Sequence, residues 1–397
     1  MKAAFWLSLA IVLYTYAGYP VVIWALGRLF GKKPVVENSV PSASIVMAVR
    51  NGVALLDWKI QHLLNLDYPN IREIIVVSDG STDGTEELLA SQNDSRLKVI
   101  LLPEHRGKAA ALNAGVAVAT AEVILFVDLR PEIAPGAIGE LVSHFADPTV
   151  GCVAGELVLS KTGNSAVTGS VSGLYWRYEQ WIRNSEAKFD SAIGVYGGFY
   201  AILRRLFMPH PEGMILDDIF QPLSIVRQGY RSVIAPGAQV FDSWPQRAGS
   251  EFSRKVRTLA GNFQLMKRAP WILTLENRTV FQFISHKLLR LVVPYLFLVL
   301  LASSGILSKD SLVYATLFAL QAAGWLLAAI GLRFRIPVLD RITGPAGALL
   351  LLNAAAVLGL YKFVQSRGSL WQIWDPKGTE ISTGCPVMES VSQPKHT

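Results

Sequence analysis

Two hydrophobic rhythms run along this chain. Near its ends lie long stretches without a charged side chain: Ala3 to Gly27, Leu291 to Ser308, Ser311 to Leu332 and Ile342 to Tyr361. A helix that crosses a bilayer needs ~20 apolar residues. The pattern therefore predicts one membrane helix within residues 1–30 and about three within residues 286–365, with Leu291 to Ser308 the shortest fit. Between them the apolar residues come in short bursts. Ser44–Val49, Arg72–Val77, Leu97–Leu101, Val123–Val127 and Val150–Leu159 read as strands. Leu55–Leu66, Thr85–Ala90, Lys108–Ala119 and Ala137–Phe145 read as helices alternating with them. Such alternation predicts a parallel, doubly wound α/β sheet over residues 40–247.

Charge orients these elements. Only Lys2 precedes the first apolar run and no clean small-residue cleavage site follows it, so it reads as an anchor and not as a removed signal. Arg28, Lys32 and Lys33 follow that run, and basic residues stay cytoplasmic. Residues 34–285 are thus expected in the cytoplasm, under a multi-pass inner (plasma) membrane. At the other end two readings conflict. Four crossings put the C-terminus outside, while Lys362 and Arg367 put it inside. Residues 248–285 read as interface helices. Phe252, Val256, Leu259, Phe263 and Met266 share one apolar face there, and Arg254 and Arg257 lie on another. The polar tail 378–397 reads as disordered.

Composition narrows the partners. Apolar residues make up 51% of the chain and the formal net charge is +7. With the apolar excess at the ends, that charge is read as serving lipid headgroups and substrate phosphates, not nucleic acid. Cys152 and Cys385 lack metal-like spacing, and a reducing cytoplasm argues against pairing them.

The chemistry sits where apolar bursts break into acid. Ile74 to Val77 leads to Asp79, a glycine turn and Asp83; Val123 to Val127 leads to Asp128; Met214 to Leu216 leads to Asp217 and Asp218. A buried strand that ends in a carboxylate delivers it to the carboxyl edge of a sheet, where open α/β folds bind ligands. Asp79 is read as a ligand group, while Asp83 is equally well a helix cap. Asp128 suits Mg2+ or Mn2+, which take oxygen ligands and bridge phosphates. Gly107-Lys108 opens a helix where a phosphate could rest, and Asn113 lies a turn later. Asp217 and Asp218 read either as a helix start or as a general base beside an acceptor hydroxyl. The aromatic stretch Tyr175-Trp176-Arg177-Tyr178 with Trp181 fits sugar stacking and an interfacial belt equally.

In order, the segments SIVMAVRN, VVSDGSTDGT, HRGKAAALNAG, FVDLR, GVYGGFYAI, ILDD and RKVRT resemble the membrane-embedded family 2 glycosyltransferases, in their cellulose-, chitin- and hyaluronan-synthase-like branch. The resemblance covers roughly residues 42–265 and implies a GT-A (Rossmann-like) catalytic domain. It implies that Asp79, with Asp83, Lys108 and Asn113, binds a nucleotide-sugar, and that Asp128 is the first aspartate of a DxD metal motif. Asp218, next to Asp217, would be the base of the TED motif. Arg254 and Arg257 would be the first and fourth positions of QxxRW, which holds the diphosphate. Gly197 and Gly198 would line the acceptor end. The implied function is inverting transfer from a nucleotide-sugar, a UDP-sugar by the resemblance, to a saccharide or lipid-linked acceptor during cell-surface polysaccharide synthesis, with export or polymerisation subunits as further partners. A single addition onto a lipid phosphate or a lipid-linked saccharide, and a non-catalytic membrane scaffold or export subunit, are the rival readings. The departures are Arg130 for the second aspartate of DxD, Asp217 for the glutamate of TED, Arg254 for the glutamine and Thr258 for the tryptophan of QxxRW, and Gly52 where many relatives carry a glutamate.

Overall fold

The computed structural model describes residues 1–160, 166–243, 248–333 and 340–366. Eight strands form the sheet: β1 (Ala43–Val49), β2 (Ile71–Asp79), β3 (Leu97–Leu102), β4 (Val123–Val127), β5 (Glu132–Ile133), β6 (Val150–Ser160), β7 (Phe199–Leu203) and β8 (Arg231–Ser243). Their order is β3-β2-β1-β4-β7-β6-β8-β5. The first four are parallel; β1, β2 and β4 carry apolar runs because both their faces are covered, while β3 lies half exposed at the sheet edge. The rest of the sheet corrects the prediction. β7 runs antiparallel to both β4 and β6, so the sheet is mixed and not doubly wound throughout. The long helix Ala166–Phe189 separates β6 from β7, and β7 enters at the carboxyl edge of the sheet, where Phe199 pairs with Val127 at the end of β4.

This order places the site. β2 and β4 flank β1 on opposite sides, so the connections leave its carboxyl end in opposite directions. That is a topological switch point, where a crevice opens above the strand ends. Val49, Asp79 and Val127 end the strands there. The floor is rigid: Ile45, Val46, Met47, Ile74, Ile75, Val76, Val77, Ile124 and Leu125 are fully buried.

Among the described residues, four helices are long and apolar enough to cross a membrane: Lys2–Leu29, Val280–Leu307, Leu312–Leu332 and Pro345–Gln365. They turn Leu7, Leu298, Leu320 and Leu326 outward, each more than half exposed, as a lipid-facing surface does. The first two spans pack through Phe5, Val12, Val293 and Leu300. In the first, Pro20 has no N–H to give the carbonyl four residues earlier. The helix widens into a π-turn over Tyr14–Gly18, and the Tyr178 hydroxyl donates to the freed Tyr16 oxygen at 2.8 Å.

The second span begins earlier than its uncharged run. His286 and Arg290 lie inside it because acids on the helix Ala166–Phe189 meet them. His286 contacts Glu186 at 2.8 Å and Glu179 at 3.1 Å, and Arg290 pairs with Glu179. The Tyr19 hydroxyl donates to Glu186 at 2.6 Å. A helix over Ala248–Arg268 carries the RKVRT segment. Its Gly261 packs on Ile215 and Leu216, and its Ala260 on Gly359 of the fourth span. The acid-bearing loop is thereby clamped to the membrane helices. The tail 378–397, Arg367 and Cys385 lie outside the described residues.

Candidate active site

Lys108 is the hub. Its helix starts after Gly107 and points the ammonium into the crevice. Nζ lies 2.9 Å from Asp128 Oδ1 and 3.3 Å from Asp217 Oδ2, and donates to the Gly197 carbonyl at 3.3 Å. Desolvation alone would lower its pKa, but the Asp128 and Asp217 carboxylates together hold it well above the ordinary lysine value. One cation thus joins three segments far apart in sequence: the β4 end, the Gly197-Gly198 turn and the start of the helix Asp217–Arg227.

Asp218 stands beside this cluster. Its carboxyl is pushed up to about 7, first by desolvation and next by the Asp217 charge, against the opposing pull of Lys108, Lys287 and Arg183. Gly197 makes room for it: a Cβ there would lie 3.0 Å from Asp218 Cβ. The Asp218 carbonyl accepts from the Val195 N–H at 3.0 Å, and Gly198 O accepts from the Asp128 N–H at 3.1 Å. The glycine loop is therefore stitched to both acids.

Asp79 serves the same crevice from behind. It is 3% exposed. Its Oδ1 accepts from the Arg106 N–H at 2.7 Å, and its Oδ2 from the Gly107 N–H at 2.9 Å, with His105 Nδ1 at 2.7 Å. The carboxylate expected to meet a base or ribose also holds the loop that presents Lys108. Gly80 permits this contact, with φ +60° and a backbone approach to His105 that leaves no room for a Cβ. Asp83 lies one residue before the Gly84 cap and joins two helix starts, accepting from the Thr85 and Val53 N–H groups at 3.1 Å each. Asn113 is also turned inward. Its amide donates to His210 O at 2.9 Å and accepts from the His210 N–H at 2.8 Å, docking its helix on the loop before Asp217.

Arg257 faces the acids. Desolvation and the neighbouring Arg254 lower its pKa, while Asp217, Asp218 and Asp128 oppose them. Arg254 is exposed. Arg130 pairs with Asp242 of β8, one guanidinium nitrogen lying 2.8 Å from each carboxylate oxygen. At Gly52 the side chain of Leu129 fills the space, 2.5 Å from where a Cβ would stand. Sequence reasoning missed Gln264. Its Oε1 accepts from the Ile215 N–H at 3.0 Å and its Nε2 donates to Gly213 O at 2.8 Å. It lies two helical turns after Arg257, on the same face, and couples that helix to the Asp217–Asp218 loop.

Residues 44–208 match the family model for glycosyl transferase family 2. They are a family 2 glycosyltransferase domain. Poly-beta-1,6-N-acetyl-D-glucosamine synthase of Staphylococcus aureus is 24% identical over 272 residues, covering 63% of this chain and 65% of that protein. The N-acetylglucosaminyltransferase of Rhizobium meliloti is 27% identical over 256 residues, covering 60% of this chain and 59% of that protein. The chain thus spans less than two thirds of the length of these relatives. A mannosyltransferase from Pyrobaculum calidifontis, solved in complex with GDP-Man and Mn2+, aligns at TM-score 0.67 and 21% identity, over 92% of this chain and 100% of that one. The fold is GT-A, with a mixed sheet.

The transferase domain meets a divalent cation halfway. Asp128 is 42% exposed at the crevice mouth, and only its Oδ1 is paired with Lys108. Among the described residues no cluster of three or more metal-capable side chains forms. A cation here would take its other ligands from substrate phosphates and water, the usual way Mg2+ is held in phosphate-handling sites. The donor set fits a metal that arrives with a diphosphate.

Proposed function

We propose that this transferase domain moves a sugar from a nucleoside diphosphate sugar to a hydroxyl acceptor, with inversion, at the cytoplasmic face of the inner membrane. The observation that carries the reading is Asp218. A carboxyl pushed up to about 7 beside a glycine loop and a cation hub is poised to take a proton near neutral pH. The donor lies over the switch point, with its diphosphate toward Lys108 and Arg257, whose positive charges offset the charge that develops on the leaving group. Asp218 accepts the acceptor's hydroxyl proton. The acceptor oxygen then bonds to the anomeric carbon from the side opposite the diphosphate. The bond from that carbon to phosphate oxygen breaks, its electrons leave with the nucleoside diphosphate, and the proton stays on Asp218. Mg2+ or Mn2+ on Asp128 and the donor phosphates would neutralise further charge on the diphosphate.

The named activities of the relatives make UDP-N-acetylglucosamine the first donor to try, with GDP-mannose second. The acceptor is a saccharide or a lipid-linked saccharide, and the product class is cell-surface polysaccharide. A single addition to a lipid phosphate is a second reading, favoured by Thr258. That residue is exposed, its hydroxyl turned back to the Arg254 carbonyl at 3.1 Å, and it offers no ring to an acceptor sugar. The test is nucleoside diphosphate release by protein in detergent, with each donor and with Mn2+ or Mg2+. Release with one donor, abolished in Asp128→Ala and Asp218→Asn, supports transfer; product length separates polymer from single addition. Donor binding without release, across saccharide and lipid acceptors, would leave a non-catalytic scaffold.

A further inference from the structure

A second cationic cavity lies away from the crevice, at the membrane-side ends of two spans. It has a volume of about 490 Å3, and Lys32, Lys33, Arg231 and Arg278 line it with Asp147 and Asp190, four cations against two carboxylates. Lys32 and Lys33 follow the first span directly, and Gln282 opens the second. The cavity therefore sits at the level where phospholipid headgroups lie.

Its charges are only partly compensated. Arg278 pairs with Asp190 at 2.8 Å. Arg231 is 7% exposed, yet its guanidinium donates to three carbonyls, those of Lys32, Ala187 and Asp190, and to no carboxylate. Asp147 is committed to the N–H groups of Val35 and Thr149. Gln282 is 2% exposed, lines the cavity and makes no hydrogen bond among the described residues. A hollow with surplus positive charge, lined also by the Gln282 amide, at headgroup depth, is complementary to a phosphodiester with a polar headgroup.

We infer that this cavity binds the headgroup of an anionic phospholipid, seating the transferase domain against the bilayer. The inference rests on the spans and the cavity, and stands independently of the donor and acceptor.

The test uses the full chain in nanodiscs of phosphatidylcholine with or without phosphatidylglycerol. Retained lipid is counted by native mass spectrometry after release from the disc, and thermal unfolding is followed in parallel. Wild type should retain phosphatidylglycerol preferentially and unfold at higher temperature in its presence. Replacing Lys32 and Lys33 together by Ala should weaken retention by about 30-fold, the loss expected for two basic groups near a charged headgroup. Gln282→Leu should weaken it with the fold intact. Lys309→Ala, beyond the opposite end of the second span, should behave as wild type. Equal retention of the two lipids by wild type, or unchanged retention in both the lysine and the Gln282 variants, would overturn the proposal. Displacement of the lipid by millimolar glycerol phosphate would also overturn it, by making the site one for soluble phosphates.

Discussion

Replacing Asp218 by Asn tests the acid–base assignment by two routes with opposite signs. An aspartate outside this environment titrates near 3.8, and here desolvation and the Asp217 charge push the carboxyl up to about 7. One pH unit corresponds to ~1.4 kcal/mol. Holding the ionised form at pH 8 therefore costs the fold on the order of 4 kcal/mol. Below about pH 4 both folded and unfolded chains carry the proton and the cost is absent. It grows between about pH 4 and 7, where the unfolded chain has released its proton and the folded one has not, and it is constant above. Asp218→Asn should therefore raise the unfolding temperature at pH 8 and leave it unchanged near pH 4. Activity should move the other way. A lost general base costs ~100- to 10,000-fold in kcat, with little change in donor KM. In wild type, kcat/KM should fall about tenfold per pH unit below pH 7, since only the ionised carboxylate accepts a proton. Asp217→Asn removes the repelling charge and should shift that acidic limb to lower pH. The assay is nucleoside diphosphate release in detergent from about pH 5 to 9. An Asp218→Asn protein within twofold of wild type, or a limb that Asp217→Asn leaves in place, would refute the assignment.

Lys108→Met removes the cation that opposes the Asp217 repulsion, so the acidic limb should move above pH 7. The unfolding temperature should fall by the equivalent of ~3 kcal/mol, because Asp217 is left buried without a counter-charge. Arg257→Ala should raise donor KM and lower kcat together by at least ~30-fold, while the exposed Arg254→Ala should change either by less than ~5-fold; steady-state kinetics in donor concentration separates them. Glu179→Ala strands Arg290 within the second span, and should destabilise the protein by ~3–5 kcal/mol in thermal unfolding, with Glu179→Gln recovering part of that.

The sequence alone determined what local physics governs. Apolar bursts ending in Asp79 and Asp128 are strands ending at a sheet edge, because side-chain burial and strand length are written in consecutive residues. Uncharged runs became membrane-length helices for the same reason, and the helix at residues 248–268 followed from its periodicity. Tertiary structure decided whatever depends on partners distant in sequence. The direction of β7 was not legible, since no local pattern distinguishes parallel from antiparallel pairing in a buried strand. The start of the second span was hidden because His286 and Arg290 look like soluble residues until Glu179 and Glu186 meet them. The contacts of Asp79 with the 105–107 loop and of Asn113 with His210 were not legible either, because both partners are distant in sequence. Lys108 was legible only as a lysine opening a helix, and became the hub when the sheet placed Asp128, Gly197 and Asp217 around one ammonium. A charge's role depends on the field of its neighbours, and those neighbours are chosen by topology.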